Sequence, residues 1–149
     1  MPCLSYKNYD PAVAVTKSTA TAIAMTALDT TNLRNTFLAP ASGIVLVRMQ
    51  FTVHGATTTP QLLMGVMEGT SVLARCVPRL NGMNLTAATL VACEVSFLIG
   101  GLTPSQQYSY DAAYGVETAV ASSAIKYGGP NNATGNNAFG GFGFEIWSA

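Results

Sequence analysis

The stretch "IVLVRMQFTVH", residues 44–54, alternates strictly between two sets of side chains. Val45, Val47, Met49, Phe51 and Val53 form one set, wholly apolar; Ile44, Leu46, Arg48, Gln50, Thr52 and His54 form the other. A period of two belongs to an extended strand, whose successive side chains leave on opposite faces. A fully apolar face requires a second layer to cover it.

The same period recurs outward from this strand. In "VACEVSFLI" (91–99), Val91, Cys93, Val95, Phe97 and Ile99 share a face opposite Glu94 and Ser96. In "YSYDAAYGV" (108–116), Tyr108, Tyr110, Ala112, Tyr114 and Val116 oppose Ser109 and Asp111, and in "FGFEIW" (142–147), Phe142, Phe144 and Ile146 oppose Glu145. Shorter strand candidates are Ala22–Thr26, Leu33–Leu38, Leu62–Glu68, Val72–Val77 and Ala124–Tyr127. "TATAIAMTALD" (19–29) is alanine-rich, but its β-branched Thr and Ile favour a strand. Turn signals rich in Gly, Pro, Asn and Ser separate the candidates: "APASG", "GATTTP", "EGTS", "PRLNGMN", "GGLTPSQ" and "GGPNNATGNN". About eight to ten short strands with regular turns predict an all-β, single-domain jelly-roll β-sandwich over 13–149, in two antiparallel sheets. Residues 1–12 hold Pro2, Cys3, Tyr6, Tyr9 and Pro11 with no period. They read either as a frayed terminus or as an N-terminal arm, with Cys3, Leu4, Tyr6 and Tyr9 as candidate contacts to a neighbouring subunit or lattice.

Charged residues make up 9% of 149, and seven basic side chains balance seven acidic ones. Nucleic acid and anionic membranes call for clustered Lys and Arg, so neither is an expected partner. A surface so poor in charge is weakly defended against association, which points to an oligomer or a larger assembly. The start of the chain does not read as a secretory signal. Cys3, Cys76 and Cys93 form no C-x-x-C pair and fit a reducing cytoplasm.

No catalytic constellation is legible. His54 is the sole histidine, and no G-x-S-x-G occurs. Cys93 falls on the core face of its strand, while Cys76 lies close to an edge. Asp111, Glu94 and Glu145 fall on outer strand faces, where a cross-strand pair of Arg48 with Glu94 or Glu145 is expected rather than acid–base chemistry. Asp29, Glu68, Asp111 and Glu117 are scattered over different elements, so no calcium or other metal site is expected, and no cofactor. "GGPNNATGNN" lacks the context of a phosphate loop. The sequons at Asn84 and Asn132 carry meaning only in a secreted chain. The tyrosine face of 108–116 suits core or subunit packing more than sugar stacking.

"NTFLAPASGIVLVRMQFTV" (35–53) and "FGGFGFEIW" (139–147) resemble segments of the tumour-necrosis-factor and C1q-like jelly-roll superfamily. Residues 32–48, "DAAYGVE" (111–117) and "KYGGPN" (126–131) resemble small structural proteins of tailed bacteriophages. The resemblance runs from about residue 28 to the end. It implies a homotrimer, with Tyr108, Tyr110, Tyr114, Phe139, Phe142 and Phe144 as candidate trimer packing. It also implies synthesis in a bacterial host cytoplasm and residence in the virion, most simply as a decoration protein on the major capsid protein. A fibre-tip or tail-associated module that binds a host glycan near "GGPNNATGNN" and "GATTTPQ" is the alternative it allows.

Overall fold

The computed structural model describes residues 1–18, 24–55, 62–78, 90–118, 124–129 and 141–149. Eleven strands follow in order: β1 (Cys3–Tyr9), β2 (Val15–Ser18), β3 (Thr26–Ala27), β4 (Arg34–Leu38), β5 (Val45–Gly55), β6 (Leu62–Glu68), β7 (Ser71–Cys76), β8 (Leu90–Ile99), β9 (Gln107–Val116), β10 (Ala124–Tyr127) and β11 (Phe142–Ser148). No helix occurs among the described residues.

The pairing is that of one long hairpin rolled on itself. β6 pairs with β7, β5 with β8, β4 with β9 and β1 with β11, all antiparallel. Rolling brings β11 beside β5 and β6 beside β9, which completes two sheets. The first sheet runs β1-β11-β5-β8, and the second runs β4-β9-β6-β7. Such nesting defines a jelly roll. The long β5 carries β8 along one edge, and β11 and then β10 end to end along the other, with β2 beyond β10. β9 is lined in the same way by β4 and then β3.

The inner faces are those the alternation marks. Val45, Val47, Met49, Phe51, Val53, Phe142, Phe144 and Ile146 are all buried against Leu33, Phe37, Leu62, Met64, Val66, Tyr110 and Tyr114 of the second sheet. Phe51 and Phe142 stack with ring centres 4.9 Å apart, and Tyr127 meets Phe142 edge-on at 5.8 Å. The hydroxyls of Tyr110 and Tyr127 are buried without a hydrogen-bond partner. Tyr110→Phe and Tyr127→Phe should therefore leave stability unchanged or raise it by up to about 1 kcal/mol in thermal melts.

Burial, then the charge of Glu68 and the neighbouring Tyr108, pushes Tyr110 from 10.0 to about 12. Burial pushes Tyr127 higher still. A group whose folded value is raised contributes stability below its unfolded value, and that contribution is lost as pH rises through the folded one. Alkaline unfolding is expected between pH 10 and about 12 for this reason. Tyrosine absorbance at high pH should rise together with loss of structure, and early, non-cooperative ionisation would contradict it.

Two readings of the sequence change here. Cys3–Tyr9 is not an arm outside the strands but β1, the edge of the first sheet, with Tyr9 opposite Phe142 and Cys3 opposite Trp147. Its period is hidden because the register shifts between Cys3 and Ser5. Gly141 permits its close approach, since a Cβ there would lie 2.7 Å from Asn8 Oδ1 and 2.8 Å from the Tyr9 carbonyl oxygen. Asp111 is not an exposed outer-face carboxylate: it is 1% exposed, in a β9 stretch buried on both faces. Met25, Met67 and Ala113 form a second, small apolar cluster with Leu63 on that outer side, and Arg34 closes on Asp111 with two hydrogen bonds of 2.7 and 2.8 Å. Of the alanine-rich segment, only Thr26–Ala27 is strand among the described residues.

One flank of the sandwich is stitched. Asn35, on β4 and fully buried, donates from Nδ2 to the Phe144 carbonyl at 2.7 Å and accepts from Ser5 Oγ at 2.8 Å. It thereby ties the second sheet to β1 and β11.

Candidate interaction surface

Two loops meet at the end of the sandwich where β4 runs into β5 and β8 runs into β9. Residues 39–44 and 100–106 are joined by backbone hydrogen bonds: Leu102 N–H to Gly43 at 3.0 Å, Ser105 N–H to Ala39 at 2.9 Å and Ala39 N–H to Gln106 at 2.9 Å. The Thr103 N–H donates to the Tyr108 hydroxyl at 3.0 Å. Gly43 sits at φ 66°, where a side chain would also meet the Leu102 carbonyl oxygen at 2.6 Å. Ser105 adopts φ 64° without being glycine. Held this way, the loop pair is a fixed base rather than two free loops.

The base carries no charged side chain. Residues 38–47, 97–110 and 146–149 include no Asp, Glu, Lys or Arg. Large apolar side chains stand out of it: Leu38 is 62% exposed and Leu98 69%, with Ile44 and Met1 also exposed. Leu46, half-buried Trp147 and exposed Cys3 continue the row across the first sheet, since Leu46 faces Leu98 and Trp147, and Trp147 faces Cys3. Apolar side chains gathered on one charge-free end are the surface signature of an interface.

Above this row the outer face of the first sheet is polar. Arg48 donates to both Glu94 oxygens at 2.9 and 3.2 Å, and Gln50 Nε2 donates to Glu94 Oε2 at 3.0 Å. The Arg48 guanidinium, then the Gln50 amide, holds Glu94 below the usual carboxylate range, and Glu94 in turn raises Arg48. Of the two expected partners Arg48 thus takes the diagonal one. Glu145, directly opposite Arg48, accepts from the Trp147 indole N–H at 2.8 Å. A shallow depression of about 370 Å³, lined by Gln50, Thr52, Ala92, Glu94 and Gly141 among others, adjoins this group.

The chain matches no known protein family and no curated protein. Among solved structures it is similar to the infectious bursal disease virus VP2 subviral particle, at 10% identity and a TM-score of 0.32. The chain covers 36% of that protein's length, and 96% of the chain is covered.

The candidate residues divide by position. Tyr6 is 61% exposed on the outer face and Cys3 is exposed beside the base, while Leu4 and Tyr9 pack partly on the core. Tyr110, Tyr114, Phe142 and Phe144 are buried within the chain's own sandwich, and Tyr108 stacks partly buried on Phe37 at 6.1 Å. The first four pack the interior of the chain's own sandwich, while Tyr108 keeps part of its ring at the surface. The Tyr114 hydroxyl is used internally too, donating to the Ser18 carbonyl at 2.9 Å. Phe139, and the loop segments 56–61 and 130–137 considered for a glycan, lie outside the described residues, as does the side chain of His54.

Cys76 and Cys93 are part-buried, and burial pushes both thiols up, away from reactive thiolate. Among the described residues no three His, Cys, Asp or Glu side chains gather into a metal site. The charge-free base escaped the sequence reading. Its signal was there as two uncharged turn segments, but only the roll places them side by side.

Proposed function

We propose that the chain is a structural subunit of a virus particle, a trimeric decoration protein that seats its base on the major capsid protein and stiffens the shell. The observation that carries this reading is the fixed, uncharged base with Leu38, Ile44 and Leu98 exposed. The resemblance of residues 32–48 to tailed-phage structural proteins falls on the strand–loop–strand that builds this base, which supports the same reading. Three bases on one rigid trimer give avidity from contacts that are weak singly.

Leu38→Asp combined with Ile44→Asp should lower binding to undecorated capsids roughly tenfold or more in co-sedimentation, since charge enters a desolvated contact. The circular dichroism spectrum should not change, because both side chains are solvent-facing. Unchanged binding, or label found on the tail rather than the head, would count against the reading. A trimer should also be found by light scattering, and a stable monomer at micromolar concentration would count against the threefold assembly.

The second reading is a tail-associated glycan module. It is favoured by the depression beside Gln50, Glu94 and Gly141, with Tyr6 exposed on the same sheet face. Retention on host polysaccharide, lost in Gln50→Ala, would support it over capsid attachment.

A further inference from the structure

The two flanks of the sandwich differ. Asn35 stitches the flank of β1 and β4, whereas no sheet pairing joins β7 to β8 among the described residues. Among the described residues β8 pairs only with β5, and β7 only with β6. Between the two free edges lies a cleft of about 390 Å³ lined by Cys76, Val77, Pro78, Cys93 and Val95 among others. Core-facing Val91 and Cys93 at this flank are only half-buried, whereas their partners across the strand, Val53 and Phe51, are buried.

β8 also lacks the usual protection of an edge. Its ten residues contain no Pro, Gly, Lys or Arg, and its one charge, Glu94, is neutralised by Arg48 of the same sheet. A long free edge of this kind is a template for another extended strand. The residue sequence says which strand fits. If a second β8 runs antiparallel about a two-fold axis at Val95, Glu94 falls opposite the partner's Ser96, not opposite another carboxylate. Exposed Leu98 falls opposite the partner's Ala92, and Phe97 opposite the partner's Cys93. Like charges stay apart, and the two largest side chains, Phe97 and Leu98, each meet a small one.

We infer that β8 is a self-pairing edge, through which two copies of this chain join their first sheets into one continuous sheet about a two-fold axis. Backbone hydrogen bonds supply the attraction, and the alternation of Ala92, Glu94, Ser96 and Leu98 sets the register. The contact runs along the β8 edge and touches the base at Leu98. It joins subunits in pairs and would link one trimer to the next.

The test uses opposite charges at Ser96, which is exposed on the outer face. Ser96→Glu places two carboxylates opposite each other at both ends of the dyad, and Ser96→Lys places a cation opposite Glu94. Sedimentation velocity over a concentration series should show pairwise association roughly tenfold weaker in Ser96→Glu and retained or tightened in Ser96→Lys. Amide hydrogen exchange should slow in β8 as the wild-type protein is concentrated. Equal behaviour of the two variants, whether both associate or both fail to, would overturn the proposal. So would β8 amides indifferent to concentration. Ser96 lies outside the base, so loss of capsid binding by the Leu38 and Ile44 changes leaves this result independent.

Discussion

Phe142→Ala is expected to destabilise the protein by about 3–5 kcal/mol, the largest single-site effect in the sandwich. Phe142 is fully buried at the start of β11, stacked on Phe51 and meeting Tyr127 edge-on. Its removal leaves a hole between β5, β10 and β11, and the strands on both sides are held by sheet hydrogen bonds, so the site cannot collapse to fill it. Urea denaturation followed by the fluorescence of Trp147, the single tryptophan, reports the change from the same strand. Phe142→Leu should cost less than half as much. A loss below about 1 kcal/mol for the alanine variant would mean that the ring is not in the core.

The second large effect falls on an ion pair. Arg34→Ala should cost about 2–3 kcal/mol, because Asp111 is left as a buried carboxylate without its cation. The value sits under the range for a wholly buried pair because the Arg34 side chain is 43% exposed and water can take part of its place. Replacing both residues with apolar ones, Arg34→Met with Asp111→Leu, should recover most of the loss, since Met67 and Ala113 already supply apolar neighbours on that side. Equal destabilisation by the single and double variants in thermal melts would show the pair to be intrinsically stabilising instead.

The inner face of the sandwich was legible in the sequence almost residue by residue. Val45 to Val53, Phe142 to Ile146 and Tyr110 to Val116 announce burial through alternation, a local property that no distant residue has to supply. The outer faces were not legible to the same degree. Asp111 alternates as a solvent-facing residue should, but it lies between Arg34 and Met67, both distant in the chain, and Arg34 closes on it. β1 was missed because a register shift breaks its period, and β2 because it is four residues long. The base illustrates the same limit. "APASG" and "GGLTPSQ" are each unremarkable turns, and their meaning arises only where Leu102 bonds to Gly43. Arg48 lies between these cases: its pairing with an acid across strands could be foreseen, but the choice of Glu94 over Glu145 depended on the Trp147 indole engaging Glu145.

The rolled pairing also sets an order in time. At the tip of the roll Glu68 meets Ser71, three positions away, while at its outer turn Cys3 meets Trp147. Each successive pair closes a longer loop, so folding should be slow and should proceed from the β6–β7 tip outward. Within this sequence β1 is made before the other described strands, and among them it pairs with β11, which is made after the rest. Until then it remains an unpaired, weakly charged strand. The partner most readily available to it in that interval is the completed β11 of another molecule, so a high local concentration of the chain favours exchange of β1 between copies.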